Sequence, residues 1–309
     1  MPTRVRTTDL LDLAAAALAP AGEAAAGLVA RALVDAEVRG HHRFGLRLLD
    51  GLPAGSRDEL SASLSLPASG DLERASTSVD LAGRFAPTAV AALIDPARRA
   101  AREHGVSLVR LREVGPFGRL APFVAAVAQR GAIGLLTMSS KSFVAPHGGH
   151  RAVLGTNPFA LAVPTRGHPL VVDTASSAIT AAHWHDAQSG QSRVPEGALV
   201  DATGAATTSA ADAVAIAARG GLLGTSIGIA IEALTAAATG LLSDPAGAPR
   251  GGLLLVIEPT GDAADAGEEL AGRLVEAGGR VPGQPVPWPD SIDVDAGRHR
   301  FLTLLAALA

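Results

Sequence analysis

Histidines set beside cationic or hydroxyl side chains mark the places where this 309-residue chain could move a proton or hold an anion. His41-His42-Arg43 follows a helical stretch, with Arg39 just before it. Two imidazoles between two guanidinium groups suit carboxylate binding or proton transfer. The competing reading is a solvated helix end, where cations are favoured near the C-terminus. His183, with His185 and Asp186 close behind, has the outline of a metal pair. On a helix, however, positions i and i+2 point apart, so no metal is expected there and His183 stands as a third proton-transfer candidate.

Groups suited to a bound anion or nucleotide are scattered more widely. Pro146-His147-Gly148-Gly149-His150 is a loop whose glycines could approach a phosphate or only fill a turn. In 152–164, Gly155-Thr156-Asn157-Pro158 is a turn between two apolar runs that read as strands, with the backbone freed at Gly155. Asp173 closes a strand and is followed by Thr174, Ser176 and Ser177, at the kind of strand edge where α/β sheets bind ligands. Capping of the next helix by Asp173 or Thr174 is the alternative. Ser139 and Ser140 end another strand. The amides of Gly220 and Gly221, ahead of a helix, could face an anion or allow close packing of that helix on the sheet. Neither a G-x-G-x-x-G dinucleotide turn nor a phosphate loop occurs.

The elements that must carry these residues alternate. Helices are expected over 7–18 (capped by Thr7 or Thr8), 23–38, 88–104, 120–131, near 177–185, 225–239 and 262–277, with a short one ending the chain. Strands are expected over 76–81, 106–112, 133–139, 169–173 and 253–258. Residues 51–80 otherwise read as turns, and 281–289 as extended and Pro-rich. This alternation implies an α/β fold, with layers of helix around a sheet. The expected organisation is an N-terminal helical region over 1–70, joined by 281–309, and a central α/β cofactor-binding domain over 71–280.

Bulk composition removes several functions. The net charge of −4, with 3% aromatic residues and no Tyr, argues against nucleic acid and an anionic membrane as partners. With no Cys, disulfides, thiolate catalysis and zinc–sulfur sites are excluded. The N-terminus makes a poor signal peptide, and no apolar run reaches the roughly 18 residues of a membrane helix, so a cytoplasmic protein is expected.

Taken in order, RGHHRFGLRLL at 39, GPFG at 115, MSSKSFVAPHGGHRAVLGTNPFALAVP at 138, VVDTASSA at 171, VPEGALVDATG at 194, GGLLGTSIGIAIEAL at 220 and VPGQP at 281 resemble the type-2 malate/L-lactate dehydrogenases. That family includes ureidoglycolate, sulfolactate and diketogulonate dehydrogenases and cyclic-imine reductases. The resemblance implies a three-layer α/β/α, non-Rossmann nucleotide-binding fold, a homodimer, and NADH or NADPH passing hydride to a small 2-keto acid or imine. It places the cofactor near Ser139, Ser140, Pro146, His147, Gly148, Gly149, Gly155, Thr156, Asn157, Asp173, Ser176, Ser177, Gly220 and Gly221.

The chain departs from the family pattern where chemistry is done. The family's Asp-Ser-His-Gly-Val-x-Arg runs here from His42 to Leu48, so the acid/base His is Phe44 and the carboxylate-binding Arg is Leu48. Asn-His-Phe-Gly becomes Gly115-Pro116-Phe117-Gly118, and Gly-Gly-x-Lys-Gly becomes Gly220-Gly221-Leu222-Leu223-Gly224. Loss of a positioned acid/base costs on the order of 10²–10⁴ in rate. Two readings follow. One is an NAD(P)H-dependent reductase, in a specialised pathway, of a small, less polar ketone or imine without a carboxylate, not malate or lactate, with His41, His42, His183 or solvent delivering the proton. The other is a scaffold that has abandoned hydride transfer and serves as a non-redox enzyme or a silent partner protein.

Overall fold

The computed structural model describes residues 2–68, 70–247 and 250–309. Six strands build the main sheet in the order β2 (Ser76–Asp80), β3 (Val106–Arg112), β11 (Gly252–Ile257), β4 (Ile133–Met138), β6 (Pro158–Val163) and β7 (Leu170–Ala175). Only β2 and β3 run parallel; every other neighbouring pair is antiparallel. Alternation of helix and strand therefore gives a layered fold here without the parallel crossovers of a doubly wound sheet. A second, four-stranded sheet of short strands joins β5 (Val144–Ala145), β10 (Ala215–Ala217), β8 (Leu199–Val200) and β9 (Ala206–Thr207). At the chain ends, β1 (Pro2–Arg6) pairs antiparallel with β12 (Ser291–Asp295).

Helices cover both faces of the main sheet, and the pleat shows which helix lies on which side. A Cβ on Gly134 of β4 would stand 2.9 Å from Val127 of α5 (Ala121–Ala128). Three residues along, Thr137 Oγ1 lies 3.4 Å from Thr235 Oγ1 of α7 (Leu222–Thr239). An odd spacing along a strand places the two contacts on opposite faces. Alongside α5 packs α4 (Ala86–His104), which begins with Pro87 and stops at Gly105 in the left-handed region (φ 81°), as its sequence predicts. Buried apolar side chains form two clusters. The larger runs without a break from Leu10 on α1 (Thr7–Ala17), Val29 on α2 (Glu23–Val38) and Leu305 on α9 (Ala296–Leu308) through to Leu254 in the sheet. The smaller, around Val144, Trp184, Leu199 and Ile216, holds together a lobe built on the short-stranded sheet.

Several elements differ from their expected form. Residues 57–64 are a helix, α3, rather than turns; Ser56 caps it by accepting a hydrogen bond from the Glu59 amide, and Ser56-x-x-Glu59 is the sequence signal for it. Helix α1 has no side-chain cap: the Thr7 hydroxyl donates instead to the Pro289 carbonyl. The helix expected near 177–185 is α6 (Ala181–Gln188), capped by Thr180 and not by Asp173 or Thr174. The apolar run before Gly155 is no strand; it contributes only the single bridge Leu154–Val144. By length and composition α7 could cross a bilayer, contrary to the sequence expectation, and only 33% of it is buried. Its Glu232, however, is buried and hydrogen-bonded within the protein, and Gly224 and Gly228 press against Ser176.

Candidate active site

One edge of the main sheet collects the end of β4 at Met138, the start of β6 at Pro158 and the end of β7 at Ala175. A cleft of about 1330 Å³ opens there, walled on its far side by the small lobe and by the segment that follows α2. Of the residues expected at the site, His41, His42, His183, Ser139, Ser140, Thr156, Asp173 and Ser177 line this cleft, and so does Phe44. Pro146, His147, Gly148, Gly149, Gly155, Asn157, Ser176, Gly220 and Gly221 do not.

The three candidate histidines are unequal. His42 Nδ1 lies 2.6 Å from Glu37 Oε2 in the last turn of α2, while the rest of its ring opens on the cleft. His41 is held below its ordinary value by burial first and then by the charges of Arg119 and Arg39, against a weaker pull from Asp35. It is therefore uncharged at neutral pH. The two arginines that depress it are both bound to Asp35, Arg39 through Nε at 2.7 Å and Arg119 through Nη1. Burial works to raise Asp35, but hydrogen bonds from Arg39 and Trp288 and the two arginine charges outweigh it and hold the carboxyl low. His183 spends Nε2–H on the Arg193 carbonyl at 2.8 Å, which removes that nitrogen from any ligand. The Phe44 ring is tilted 60° against His41 on the cleft wall and has no proton to give.

Most hydroxyls expected to meet a nucleotide are committed elsewhere. Ser139 Oγ accepts from the Gly251 amide, and Ser140 Oγ accepts from both the amide and the hydroxyl of Thr156. Ser176 Oγ donates to the Thr156 carbonyl. Asn157 is fully buried, and its Nδ2 donates to the Gly228 carbonyl and to Glu232. The Gly-Thr-Asn-Pro turn thus clamps β6 to α7 through Gly155 and Asn157, while Thr156 lines the cleft. Its positive φ falls on Asn157 (44°), not on Gly155. Gly155 is required for a different reason: a Cβ there would sit 2.4 Å from Asn157 Oδ1 and 2.9 Å from the Ser140 amide.

Asp173 caps a helix, but not the one that follows it. Its Oδ2 accepts from the amides of Leu120 and Ala121 at the start of α5. Asp173 lines the cleft. Burial raises its carboxyl above the usual carboxylate range, against the Ala121 amide, the Arg119 charge and the Leu120 amide. The His147 loop and the Gly220–Gly221 turn meet each other outside the cleft. The His147 amide donates to Thr225, and the His147 ring lies 3.1 Å from where a Gly221 Cβ would be. Gly224 serves close packing, because a Cβ there would strike the Arg219 backbone at 2.4 Å. Leu223 is exposed and outside the cleft.

Charged groups of the cleft that the motifs did not mark as site residues include Arg47, Arg219, Arg250 and Glu37. Arg250 and Arg47 line the cleft with no hydrogen-bond or ion-pair partner among the described residues. Arg219 lines it too, with Nε donating to the Ala175 carbonyl and no acid partner. Burial holds the Arg250 guanidinium below its usual value. The fourth, Glu37, stands in the helix turn just before the His41-His42 pair. Arginines that face a cleft leave no periodic trace in a sequence; an acid one helical turn ahead of a His pair does.

A mixed α/β sheet carries at one strand edge a cleft that arginines and carboxylates line together. Residues 5–286 match the family model described as malate/L-lactate dehydrogenase. Over 246 residues the chain is 32% identical to a Delta(1)-pyrroline-2-carboxylate/Delta(1)-piperideine-2-carboxylate reductase of Pseudomonas putida, covering 77% of this chain and 71% of that one. It is 33% identical over 220 residues to a (2R)-3-sulfolactate dehydrogenase (NADP(+)) of Chromohalobacter salexigens, covering 70% and 65%. A dehydrogenase structure from Sinorhizobium meliloti superposes with a TM-score of 0.79 at 28% identity, over 99% of this chain and 98% of that one. The chain belongs to the malate/L-lactate dehydrogenase family and is an oxidoreductase of small substrates.

Proposed function

We propose that the protein is an NAD(P)H-dependent reductase of a small cyclic imine or ketone that carries a carboxylate. The observation that carries this reading is the set of guanidinium groups that line the cleft with no acid partner among the described residues, Arg47, Arg219 and Arg250. Burial of the Arg250 guanidinium is costly unless an anion meets it, while Arg47 and Arg219 are exposed cations on the same cleft that can join in holding one. The residues present fit a nicotinamide dinucleotide: Arg219 and Arg250 can hold its pyrophosphate, and the buried Ser177 hydroxyl on the cleft wall has no partner among the described residues. When bound, the cofactor supplies a hydride to the carbon of a C=N or C=O bond. Arg47, next to Leu48, keeps a guanidinium in the cleft where the family places one a residue later, so recognition of a carboxylate need not be lost with Leu48. Met138 and Phe117 give the cleft apolar wall, which excludes water from a flat ring.

A homodimer is part of this proposal. Leu222, Leu223, Ile229 and Leu234 stand exposed along α7 at helical spacing, an apolar stripe suited to a second copy.

The test is titration with NADH and with NADPH followed by cofactor fluorescence, then loss of reduced-cofactor absorbance with Delta(1)-piperideine-2-carboxylate and with simple 2-keto acids. Micromolar binding and faster turnover of the imine are expected. No binding at high micromolar cofactor would end the reductase reading in favour of a scaffold without hydride transfer.

A further inference from the structure

Glu37 is a buried carboxylate that nothing in the reading above uses. Its side chain is 5% exposed and makes two close contacts: Oε1 accepts from the Leu46 amide at 2.7 Å, and Oε2 meets His42 Nδ1 at 2.6 Å. No Lys or Arg pairs with it among the described residues. Gly45 makes the fit possible, since any Cβ there would lie 2.4 Å from Glu37 Oε1. Burying a carboxylate is expensive unless hydrogen-bond donors surround it. A carboxylate only accepts, so His42 must carry a proton on Nδ1. That leaves Nε2 on the 59% exposed side chain, which opens on the cleft. One nitrogen is anchored and the other is left without a protein partner on a residue that lines the cleft, the arrangement by which a second group fixes the tautomer of an acid/base imidazole.

We propose that Glu37 and His42 are the proton-delivering pair of the cleft, standing two residues before Phe44. His42 is the catalytic residue and Glu37 its positioning residue. With a reduced nicotinamide bound to supply hydride to the substrate carbon, the π pair of the C=N or C=O bond would move to the nitrogen or oxygen. That atom takes the proton from Nε2–H of the imidazolium. The Nε2–H bond breaks, Nδ1–H stays on Glu37, and solvent restores the lost proton. His41 has no carboxylate hydrogen-bonded to its ring among the described residues, and His183 has its Nε2–H committed to the Arg193 carbonyl.

This inference rests on the reductase reading, and its test separates the two. In the full-length protein with ¹⁵N-labelled histidine, the ring signals of His42, assigned through loss in His42→Asn, should show Nδ1 protonated. Glu37→Gln keeps an acceptor for the Leu46 amide but turns an NH₂ toward His42, so neutral His42 should flip to the Nε2–H tautomer. A wild-type His42 already in the Nε2–H form, or one unmoved by Glu37→Gln, overturns the pair. With NADPH and Delta(1)-piperideine-2-carboxylate, His42→Asn should lower kcat about 10²–10⁴-fold with cofactor affinity unchanged. His42→Ala should regain part of its turnover in added imidazole, a rescue that a merely structural residue would not give. Wild-type turnover with His42→Asn within threefold of it sinks the pair and leaves the reductase standing. Absence of cofactor binding by the wild type sinks the reductase reading, while the tautomer result still decides the geometry.

Discussion

Replacing Glu232 with Gln should loosen the clamp that holds the cleft's sheet edge to α7. Glu232 is 6% exposed and accepts four hydrogen bonds, from the Gly155 amide at 3.3 Å, Asn157 Nδ2 at 2.8 Å, the Ser243 amide at 2.6 Å and the Ser243 hydroxyl at 2.7 Å. Gln has the same shape, but its NH₂ must replace one oxygen. Facing the Ser243 amide it opposes a donor that cannot rotate away; turned over, it opposes the Gly155 amide and the Asn157 amide group. At least one buried N–H is left unpaired, at a cost of about 1–3 kcal/mol, and the remaining bonds lose a charged acceptor. Against this, no cation pairs with Glu232 among the described residues, so neutralising it relieves part of the desolvation of a buried charge. The net expectation is a loss of about 2 kcal/mol for Glu232→Gln and at least about 4 kcal/mol for Glu232→Leu, which strands every donor. Urea unfolding followed by tryptophan fluorescence measures it, with Trp184 reporting from the small lobe. Hydrogen exchange at the Gly155 and Ser243 amides localises it. A Glu232→Gln change below about 0.5 kcal/mol, with both amides still protected, would refute the clamp.

Three further outcomes follow from the same geometry. Arg219→Met and Arg250→Met should each weaken NADPH about 10–100-fold in a fluorescence titration, the worth of one charge-assisted contact, with little change in melting temperature. Asp35 titrates below its unfolded value of 3.8, so its share of stability is present above that pH and is lost as pH falls through the lower folded value. His41 is depressed from 6.5, so its share is present above pH 6.5 and is lost as pH falls through its lower folded value. Melting curves from pH 7 to 3 should therefore decline in two stages, with Asp35→Asn removing the lower and His41→Phe the upper. Ile229→Glu with Leu234→Glu on the exposed stripe of α7 should convert a dimer to a monomer by light scattering; an unchanged mass assigns the stripe elsewhere.

Much of the fold was legible because it rests on local rules. Pro87 and Gly105 bracket α4, and the apolar runs at 106–112, 133–138 and 252–257 became strands close to their expected limits. Errors arose where a local pattern had two outlets. The run at 152–154 is apolar but makes one bridge only, because its polar neighbours are drawn to α7. Ser56-x-x-Glu59 was masked by the glycines and prolines around it. Of the site, the sequence carried the loop containing His41 and His42 but gave no ground for choosing between them.

Residue types and order alone determined the family, the layered α/β class and a cluster of imidazoles after α2, since motifs and periodicity are properties of neighbours along the chain. Tertiary structure alone decided which polar groups are free. Asn157, Ser139 and Ser140 look like ligand contacts in sequence yet spend their hydrogen bonds on Glu232, Gly251 and Thr156, up to 112 residues away. Arg47, Arg219 and Arg250, whose side chains no motif singled out, are left on the cleft without an acid partner among the described residues. The physical reason is that a hydrogen bond or an ion pair is satisfied in space: whether a donor remains for a ligand depends on what folding has already placed against it.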